Sequence, residues 1–469
     1  MNTTLVAIDI GNDVSIAVTM TREEFERFPP NTNAEDFYNS CKIHKITPDI
    51  EGLTKLLELG DLYIFEPTGN YSQLWHNNLL KAGKEVRLLS HDQAPVIRKT
   101  CRWNYKDDEH DAVAIAYYGW MNLNNPRAFN RTRKPDLHAA YLKILEKERI
   151  NKELRVSKNR GRNLLHTEFP EGKDSKSGRS DKNATIWGFI AGEDIPKRSK
   201  TLWKNRLAKS IGTACERGFS EELKRHAAKI WQLETERGKL KHEFEILLTR
   251  PEYQWCKPVF DKFEFGTFDR VIALCQFDPF GQFLTEDLKE LRLEKKRRKG
   301  KAGKYITKRV GYNRFHSLLG KAVKPWSSGD KEGHIVTGSS IARSHLHLWA
   351  NRNVVMLNRT KNPIFQELRK KYEEDISNSN ALLEKLLKFS LTDLNDLKNL
   401  LKQTPAGETL LDLIEDAVKA KKDPLGSIKS RGKQRLGNWA RARISDRAVK
   451  MLFKELIGAY RRALADPNT

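Results

Sequence analysis

The chain has 469 residues, with 85 Lys and Arg against 61 Asp and Glu, which gives a formal net charge of +24. This length suits roughly two to four domains, and it excludes a small module that depends on disulfides or a structural metal for its stability. The excess of positive charge makes a polyanion the expected partner, and nucleic acid is the leading candidate.

Membrane and secreted classes of protein are not favoured. No segment approaches the roughly 18 apolar residues of a spanning helix, and no basic amphipathic anchor opens the chain. The first residues lack the charged, apolar and cleavage-site order of a signal peptide, so we expect an intracellular, cytoplasmic protein. Its positive charge favours association with nucleic acid such as DNA. The five cysteines are scattered and form no Cys-x-x-Cys motif. We therefore expect reduced core thiols rather than disulfides or a Cys-based zinc site.

The first 120 residues alternate short β-rich runs with helical patterns, which predicts an α/β domain with a mostly covered sheet. Gly11, Asn12 and Asp13 predict a tight turn because Gly and Asn tolerate positive φ, so the first two strands are expected to be antiparallel. Helices are predicted over Asn70 to Ala82, ending at Gly83, and from Asp108 to about Leu123. The predicted strands are Leu5 to Ile10, Ser15 to Met20, Leu62 to Glu66 and Glu85 to Leu89.

The middle of the chain is predicted to be helical. A basic helical stretch runs from about Leu137 to Leu165, and residues 170–183, rich in Gly, Ser and charge, are typical of a mobile linker. Residues 219–248 show a heptad pattern, for which we prefer an antiparallel or dimeric coiled coil; the alternative is a helix packed on its own core. The heptad positions are Leu223, Ile230 and Phe244 on one row and Leu233, Leu240 and Leu247 on the other.

Four parts are predicted in total. Residues 1–135 form the α/β domain, and residues 136–250 form a helical linker and coiled coil. Residues 251–360 contain a basic run and a Gly/Ser-rich stretch, and residues 361–469 form a basic helical extension.

Four carboxylates of the first domain are candidates for a metal site. Asp9 and Glu66 lie within or at the end of apolar strand-like runs, where a charge is costly unless it is paired or bound to a cation. Asp108 and Asp111 are three apart at the start of a helix and therefore share a face. Each residue also has a simpler explanation, as a turn partner of Gly11 for Asp9 or as a helix-capping acid for Asp108 and Asp111.

The order and setting of these residues favour a joint role. Strand-Asp, strand-Glu and then Asp-x-x-Asp on a helix is the arrangement of nucleases and integrases. Oxygen ligands suit Mg²⁺, and such a set can build a two-metal site for phosphodiester chemistry.

Several passages of the chain form a recognisable series: Val6 to Ile10, Glu66-Pro67-Thr68-Gly69-Asn70-Tyr71, Leu79 to Leu89, Lys106 to Ala116, Phe265 to Leu274, Leu318-Leu319-Gly320, Pro325 to Gly329, and Gly333 to Gly338 with Arg343. These passages resemble the DEDD-type insertion-sequence transposases of the "IS one-ten" family and their pilin-gene invertase relatives. One departure is Asp107, where the family usually has Thr; the spacing to Asp111 favours Asp108 as the ligand. The resemblance covers most of residues 4–123, and more loosely residues 260–355.

This resemblance implies a ribonuclease-H-like (RuvC-like) first domain and a mainly α, serine-containing transposase domain, on either side of the helical coiled coil that the heptad pattern predicts. It implies Mg²⁺ bound by Asp9, Glu66, Asp108 and Asp111, and Ser328 as a nucleophile. The residues alone leave Ser327, Ser328, Ser339 and Ser340 open as contenders, and all four also suit turns or caps. In the family, the carboxylate and serine domains meet in a composite site across subunits.

The resemblance further implies a structured guide RNA that bridges double-stranded target and donor DNA, and a homodimer or homotetramer. If base pairing reads the sequence, the protein needs mainly backbone contacts, which fits its charge. The candidate contacts are Lys295, Lys296, Arg297, Arg298 and Arg343, unless the run 295–301 is simply a solvated loop. The alternatives to an RNA-guided recombinase are a Mg²⁺ nuclease or Holliday-junction resolvase without serine chemistry, and an inactive RNA-binding scaffold.

Overall fold

A computed structural model describes most of the chain, and two compact units are distinguished within it, Met1–Ala139 and Ala140–Thr469. The predicted division into four parts stays a prediction. The described residues are 4–27, 34–89, 93–100, 107–125, 128–130, 133–172, 184–296, 305–328, 331–357, 361–387, parts of 399–414, and 424–465.

The first unit is built on a five-stranded mixed sheet with the order β3-β2-β1-β4-β5. Strand β1 pairs antiparallel with β2 and parallel with β4; β2 also pairs antiparallel with β3, and β4 parallel with β5. The four predicted strands and the antiparallel first pair are confirmed, whereas β3 was not predicted. The strands are β1 (Thr4–Asp9), β2 (Ser15–Thr21), β3 (Lys42–Ile46), β4 (Leu62–Phe65) and β5 (Glu85–Leu88).

Both faces of this sheet are covered. Leu5 and Ala7 of β1 belong to the core cluster that includes helix α6, while Val6 and Ile8 belong to the cluster on the opposite face. This division follows from the alternation of side chains along a strand. Both predicted helices, α4 and α6, are confirmed. The helices are α1 (Arg22–Glu26), α2 (Ala34–Ser40), α3 (Ile50–Glu58), α4 (Asn70–Lys81), α5 (Gln93–Thr100) and α6 (Asp108–Met121).

The second unit is predominantly helical, with two small two-stranded sheets, β6-β7 and β8-β9. Helix α7 (Pro135–Glu168) begins in the first unit and continues into the second. Most of the predicted linker, residues 173–183, lies outside the described residues. The remaining elements are α8 (Thr185–Ala191), α9 (Lys197–Leu207), α10 (Ala214–Arg217), α11 (Glu221–Leu248), α12 (Pro251–Gln254), α13 (Lys257–Lys262), α14 (Thr267–Phe277), β6 (Leu293–Lys296), β7 (Tyr305–Lys308), α15 (Val310–Leu318), β8 (Ala322–Ser328), β9 (Lys331–Thr337), α16 (Ser340–Ala350), α17 (Pro363–Leu387) and α18 (Pro424–Ala465).

The heptad face of α11 is buried within this chain. Lys143 of α7 pairs with Glu243 at 2.6 Å, and Glu153 of α7 pairs with Lys229 at 3.1 Å, so residue numbers rise along one helix as they fall along the other. The two helices therefore run antiparallel. Their apolar faces join those of α8 and α9 in one core cluster. Helix α11 thus packs on a core of its own chain, beside an antiparallel helix; the predicted coiled coil stays a prediction.

The C-terminal helix α18 contributes to an aromatic core of the second unit. The ring of Phe453 lies 4.9 Å from that of Phe315 and 5.9 Å from that of Phe280. Aromatic pairs at such distances add to the free energy gained by burial. Helix α18 (Pro424–Ala465) is therefore part of the folded unit. No helix in the described part of the chain is both long and apolar enough to cross a membrane.

A candidate carboxylate site

Asp9 and Glu66 lie at the same end of two adjacent parallel strands. Asp9 is the last residue of β1, and Glu66 directly follows β4; the last paired residues before them are Ile8 and Phe65. By the alternation of side chains, Asp9 shares a face with Ala7, and Glu66 shares one with Ile64, and both of these belong to the core that α6 covers. The strands thus direct both carboxylates toward the side of the sheet that carries α6.

Helix α6 supplies the other two candidates in its first turn. Asp107 is the N-cap, and its side chain accepts hydrogen bonds from the backbone N–H of His110 and from the His110 ring, both at 2.8 Å. Asp107 is therefore occupied as a cap, as acidic residues commonly are. Asp108 and Asp111 follow in the first turn, three positions apart and therefore on one face of the helix.

The four carboxylates interact electrostatically. The pKa of Asp9 is raised to about 7, first by burial and then by the negative charges of Asp111, Asp108 and Glu66. Burial disfavours the charged form, and like charges nearby disfavour it further. Asp9 thus interacts electrostatically with all three other candidate carboxylates. A raised pKa from burial and a specific set of charged neighbours is typical of functional sites.

Arg98 of α5 is a fifth member of this site, and the sequence did not indicate it. Its Nε lies 2.6 Å from Oδ1 of Asp111, and the two side chains are only 13% and 22% exposed. An ion pair shielded from water to this extent is stronger than an exposed one. In a chain with 85 Lys and Arg, nothing in the sequence sets Arg98 apart. Its role follows from the packing of α5 on α6.

A divalent cation suits the chemistry of these donors better than it suits their arrangement. Carboxylate oxygens are the ligands that Mg²⁺ prefers, and a bound cation would relieve the mutual repulsion at Asp9. Among the described residues, however, no three His, Cys, Asp or Glu side chains are arranged so as to hold an ion. One of the four carboxylates, Asp111, is engaged with Arg98 instead.

The predicted serine nucleophile lies in the second unit, at the tip of a β-hairpin. Ser328 is the last residue of β8 and is paired with Lys331 of β9, with Ser327 one position before it, opposite Glu332. Ser328 thus directly precedes residues 329–330, which lie outside the described residues.

The other two serines lie at the start of α16. Ser339 is the N-cap of this helix, and its Oγ accepts a hydrogen bond from the backbone N–H of Ala342 at 3.1 Å. Ser340 is the first residue of the helix and is exposed. The alternative explanation of a capping residue therefore describes Ser339.

Two glycines fix this helix start. Gly338 has φ +91°, and a Cβ there would lie 1.7 Å from the backbone oxygen of Ser317. Gly320 has φ +75°, and a Cβ there would lie 2.1 Å from the backbone oxygen of Ser339. Both positions require glycine, for conformation and for space. Arg343 completes the contact by donating a hydrogen bond from Nη1 to the backbone oxygen of Gly320 at 3.2 Å. Arg343, predicted as a nucleic-acid contact, thus links α16 to the chain segment at Gly320.

The basic run is described only in part. Lys295 and Lys296 belong to β6, which pairs antiparallel with β7. Arg297 and Arg298 lie outside the described residues.

A second polar cluster, not predicted from the sequence, lies within the second unit. His345 of α16 donates from Nδ1 to Asp269 at 2.7 Å, and its Nε2 lies 3.2 Å from Glu148 and 3.0 Å from Nζ of Lys147. Burial opposes the charged imidazole, but the hydrogen bonds to Asp269 and Glu148 raise the pKa of His345. The cluster joins three elements, α7, α14 and α16, and we assign it a structural role.

Comparison with protein-family models finds no match to this chain, and no curated protein matches it either.

Proposed function

We propose that this protein is an RNA-guided DNA recombinase of a mobile element, resembling the DEDD-type transposases. The observation that carries its catalytic part is the grouping of four carboxylates at one end of the sheet, where Asp111, Asp108 and Glu66 add to burial in raising the pKa of Asp9. Asp9 and Glu66 lie at the ends of two adjacent parallel strands in a sheet with the order β3-β2-β1-β4-β5, and the other two carboxylates lie on one helix. We propose that this unit is a ribonuclease-H-like domain.

The four carboxylates are the residues that would hold Mg²⁺. When bound, the ion would supply Lewis-acid activation of a phosphodiester and stabilise charge on the leaving oxygen. Asp9 would provide a ligand from the end of β1, Glu66 from the position directly after β4, and Asp108 and Asp111 from α6, where the ion would compete with Arg98 for Asp111. Residues held by strands and helices keep their geometry better than residues on loops, which suits a catalytic role.

The departure at Asp107 is compatible with this proposal. The family motif usually has Thr at this position, and here Asp107 is the N-cap of α6. Thr and Asp are both residues that cap helices through a side-chain oxygen. The substitution therefore keeps the capping interaction and leaves Asp108 as the first acid on the face that carries Asp111.

We propose Ser328 as the nucleophile of strand exchange. Attack of its hydroxyl oxygen on a DNA phosphodiester forms a phosphoserine bond, breaks one P–O bond and transfers the serine proton to the released DNA hydroxyl. The reverse reaction with a different DNA hydroxyl rejoins strands without a nucleotide cofactor. Ser339 is less suited because its hydroxyl caps α16.

The proposed partners are double-stranded target and donor DNA and a structured guide RNA, bound by a homodimer or homotetramer. The net charge of +24 supports contacts with the backbones of several nucleic-acid strands. Lys295 and Lys296, with Arg297 and Arg298, are proposed to make some of these contacts.

A Mg²⁺-dependent nuclease or Holliday-junction resolvase is the second candidate. It is favoured by the fact that all four carboxylates and Arg98 lie within the first unit, Met1–Ala139. Such an enzyme would need no serine from the second unit.

Purification of the full-length chain from its own cells, followed by sequencing of the bound RNA, tests the leading proposal. We expect one structured RNA species to be strongly enriched over total cellular RNA. Enrichment of no particular RNA would contradict RNA guidance and leave the resolvase as the better account. An Asp9→Ala variant purified in parallel should carry the same RNA, since the carboxylates act on DNA.

A further inference from the structure

Helix α9 carries a concentrated and exposed positive charge. Residues 195–215 contain no Asp or Glu, whereas the chain as a whole has 61 of them. Six basic residues lie in or directly after α9, and all six are exposed: Lys197, Arg198, Lys200, Lys204, Arg206 and Lys209.

These charges are not compensated as those of neighbouring helices are. On α7 and α11, Lys143 and Lys229 form ion pairs with Glu243 and Glu153. In the described part of the chain, no ion pair joins any of the six basic residues of the α9 segment to a carboxylate. Arg206 instead lies over the ring of Trp203, 5.2 Å from its centroid. Uncompensated, closely spaced cations repel one another, so a polyanion is the partner that relieves this repulsion.

The helix is firmly anchored on one side. Trp203 is 4% exposed within the core cluster of α7, α8 and α11, and its Nε1 donates to Oγ1 of Thr185 at 3.0 Å. Gly188 of α8 allows the close approach of Ile195, because a Cβ on Gly188 would lie 2.6 Å from Cγ2 of that side chain. The buried side of α9 is thus held by α8, and the charged remainder of the helix faces solvent.

The connection between α8 and α9 is short. Helix α8 ends at Gly192, which has φ +80° and adopts the left-handed conformation that stops a helix. Ile195 and Pro196 then lead directly into α9, which begins at Lys197. Five residues, Gly192 to Pro196, thus join two short helices, of which the second is basic and exposed. The recognition helix of a helix-turn-helix DNA-binding motif likewise follows a short turn and presents its side chains to DNA.

We propose that α9 binds duplex DNA, with its basic residues against the phosphates that border the major groove. A helix with its side chains is about 10–12 Å wide, and the major groove of B-form DNA is about 12 Å wide. The major groove of A-form RNA is too narrow for a helix. A bilayer surface is a poorer partner, because the apolar anchor Trp203 is turned inward and the exposed face is dominated by charge.

This surface is distinct from the predicted basic run at 295–301 and from the carboxylates. The inference concerns DNA binding alone, so it stands whether or not the protein cleaves DNA. Its failure would equally leave the proposed chemistry at Asp9 untouched.

The test uses the full-length chain with the triple variant Lys197→Gln, Lys200→Gln and Lys204→Gln. Glutamine removes the charge and has a helix propensity close to that of lysine, so the exposed face should keep its structure. The matched control is the triple variant Lys361→Gln, Lys370→Gln and Lys385→Gln, which removes the same charge from exposed lysines at and within α17. Thermal melting of both variants verifies the fold.

Affinity is measured by fluorescence anisotropy against a B-form DNA duplex, an RNA duplex of the same sequence and phosphatidylserine vesicles, over a series of salt concentrations. For the α9 variant we expect DNA affinity to fall at least about tenfold, and the slope of log K against log salt to decrease in magnitude by about 2 to 3. The control variant should lose clearly less. Equal losses in the two variants, or a larger loss for RNA or vesicles than for DNA, would overturn the proposal.

Discussion

Nε of Arg98 lies 2.6 Å from Oδ1 of Asp111, which gives one of the four candidate metal ligands a resident counter-charge. Asp111 is also the largest contributor of negative charge to the raised pKa of Asp9. One carboxylate thus interacts with both an arginine and the rest of the acidic group. A cation that binds this group has to compete with the guanidinium for Asp111, or to bind alongside it.

Replacing Arg98 with Gln should therefore change both stability and ion binding. Without divalent ions, the free energy of unfolding should fall by about 1–3 kcal/mol, because a partly buried carboxylate loses its cation near other carboxylates. The affinity for Mn²⁺, measured by isothermal titration calorimetry, should rise several-fold, because the ion no longer competes with the guanidinium.

The control for this experiment is Arg22→Gln, which removes an ion pair with Glu26 whose side chains are 64% and 60% exposed. Such exposed pairs contribute little, so stability should change by less than about 0.5 kcal/mol. Unchanged or weaker Mn²⁺ binding in the Arg98 variant would show that Arg98 does not compete for Asp111.

The raised pKa of Asp9 predicts an unusual pH dependence of stability in the absence of divalent ions. Its pKa is about 7 in the folded protein and near 3.8 in the unfolded chain. Between these values the folded state binds more protons, so stability falls as pH rises from about 4 to 7. Asp9→Asn removes this loss and should be more stable than the native chain above pH 7, by roughly 1–3 kcal/mol after allowance for partial exposure.

Denaturant unfolding in EDTA from pH 4 to pH 8 measures this difference. The variant Asp13→Asn, which changes an exposed carboxylate of the neighbouring turn, should follow the native chain throughout. Parallel pH profiles for the native chain and the Asp9 variant would show that Asp9 does not carry the repulsion assigned to it.

Substitutions of Ser328 and Ser339 should have different effects, because we propose different roles for the two serines. Ser328→Ala should abolish covalent protein–DNA adducts on denaturing gels while RNA binding persists. Ser339→Ala should retain the adduct but lose about 0.5–2 kcal/mol of stability, since its hydroxyl caps α16. Ser339→Thr, which keeps a capping hydroxyl, should recover most of that stability. An undiminished adduct in the Ser328 variant would refute its assignment as nucleophile.

The sequence predicted the parts of the fold that have a local signal. The apolar run that ends at Asp9 and the turn at Gly11 identify a strand and a hairpin within a dozen residues. Strand β3 (Lys42–Ile46) lies at the sheet edge, and most of its residues are at least partly exposed, so it lacks the apolar run that marks a buried strand.

Interactions between distant residues could not be predicted in this way. In the sequence, nothing distinguishes Arg98 from the other basic residues. Its contact with Asp111 results from the packing of α5 on α6. Likewise, His345 contacts Lys147, 198 positions away in the chain. The basic segment that includes α9 is visible in the sequence as a run without acids, but its exposure and its single buried anchor, Trp203, emerge only from the packing of α8 and α11.

Mg²⁺-dependent DNA strand cleavage by the full-length chain with its co-purified RNA tests the carboxylate site. Asp9→Ala is compared with Asp13→Ala, and DNA affinity is measured in parallel. We predict that Asp9→Ala lowers the cleavage rate by roughly a hundredfold or more at unchanged DNA affinity, while Asp13→Ala cleaves at the native rate. Cleavage by the Asp9 variant at the native rate would contradict the carboxylate site.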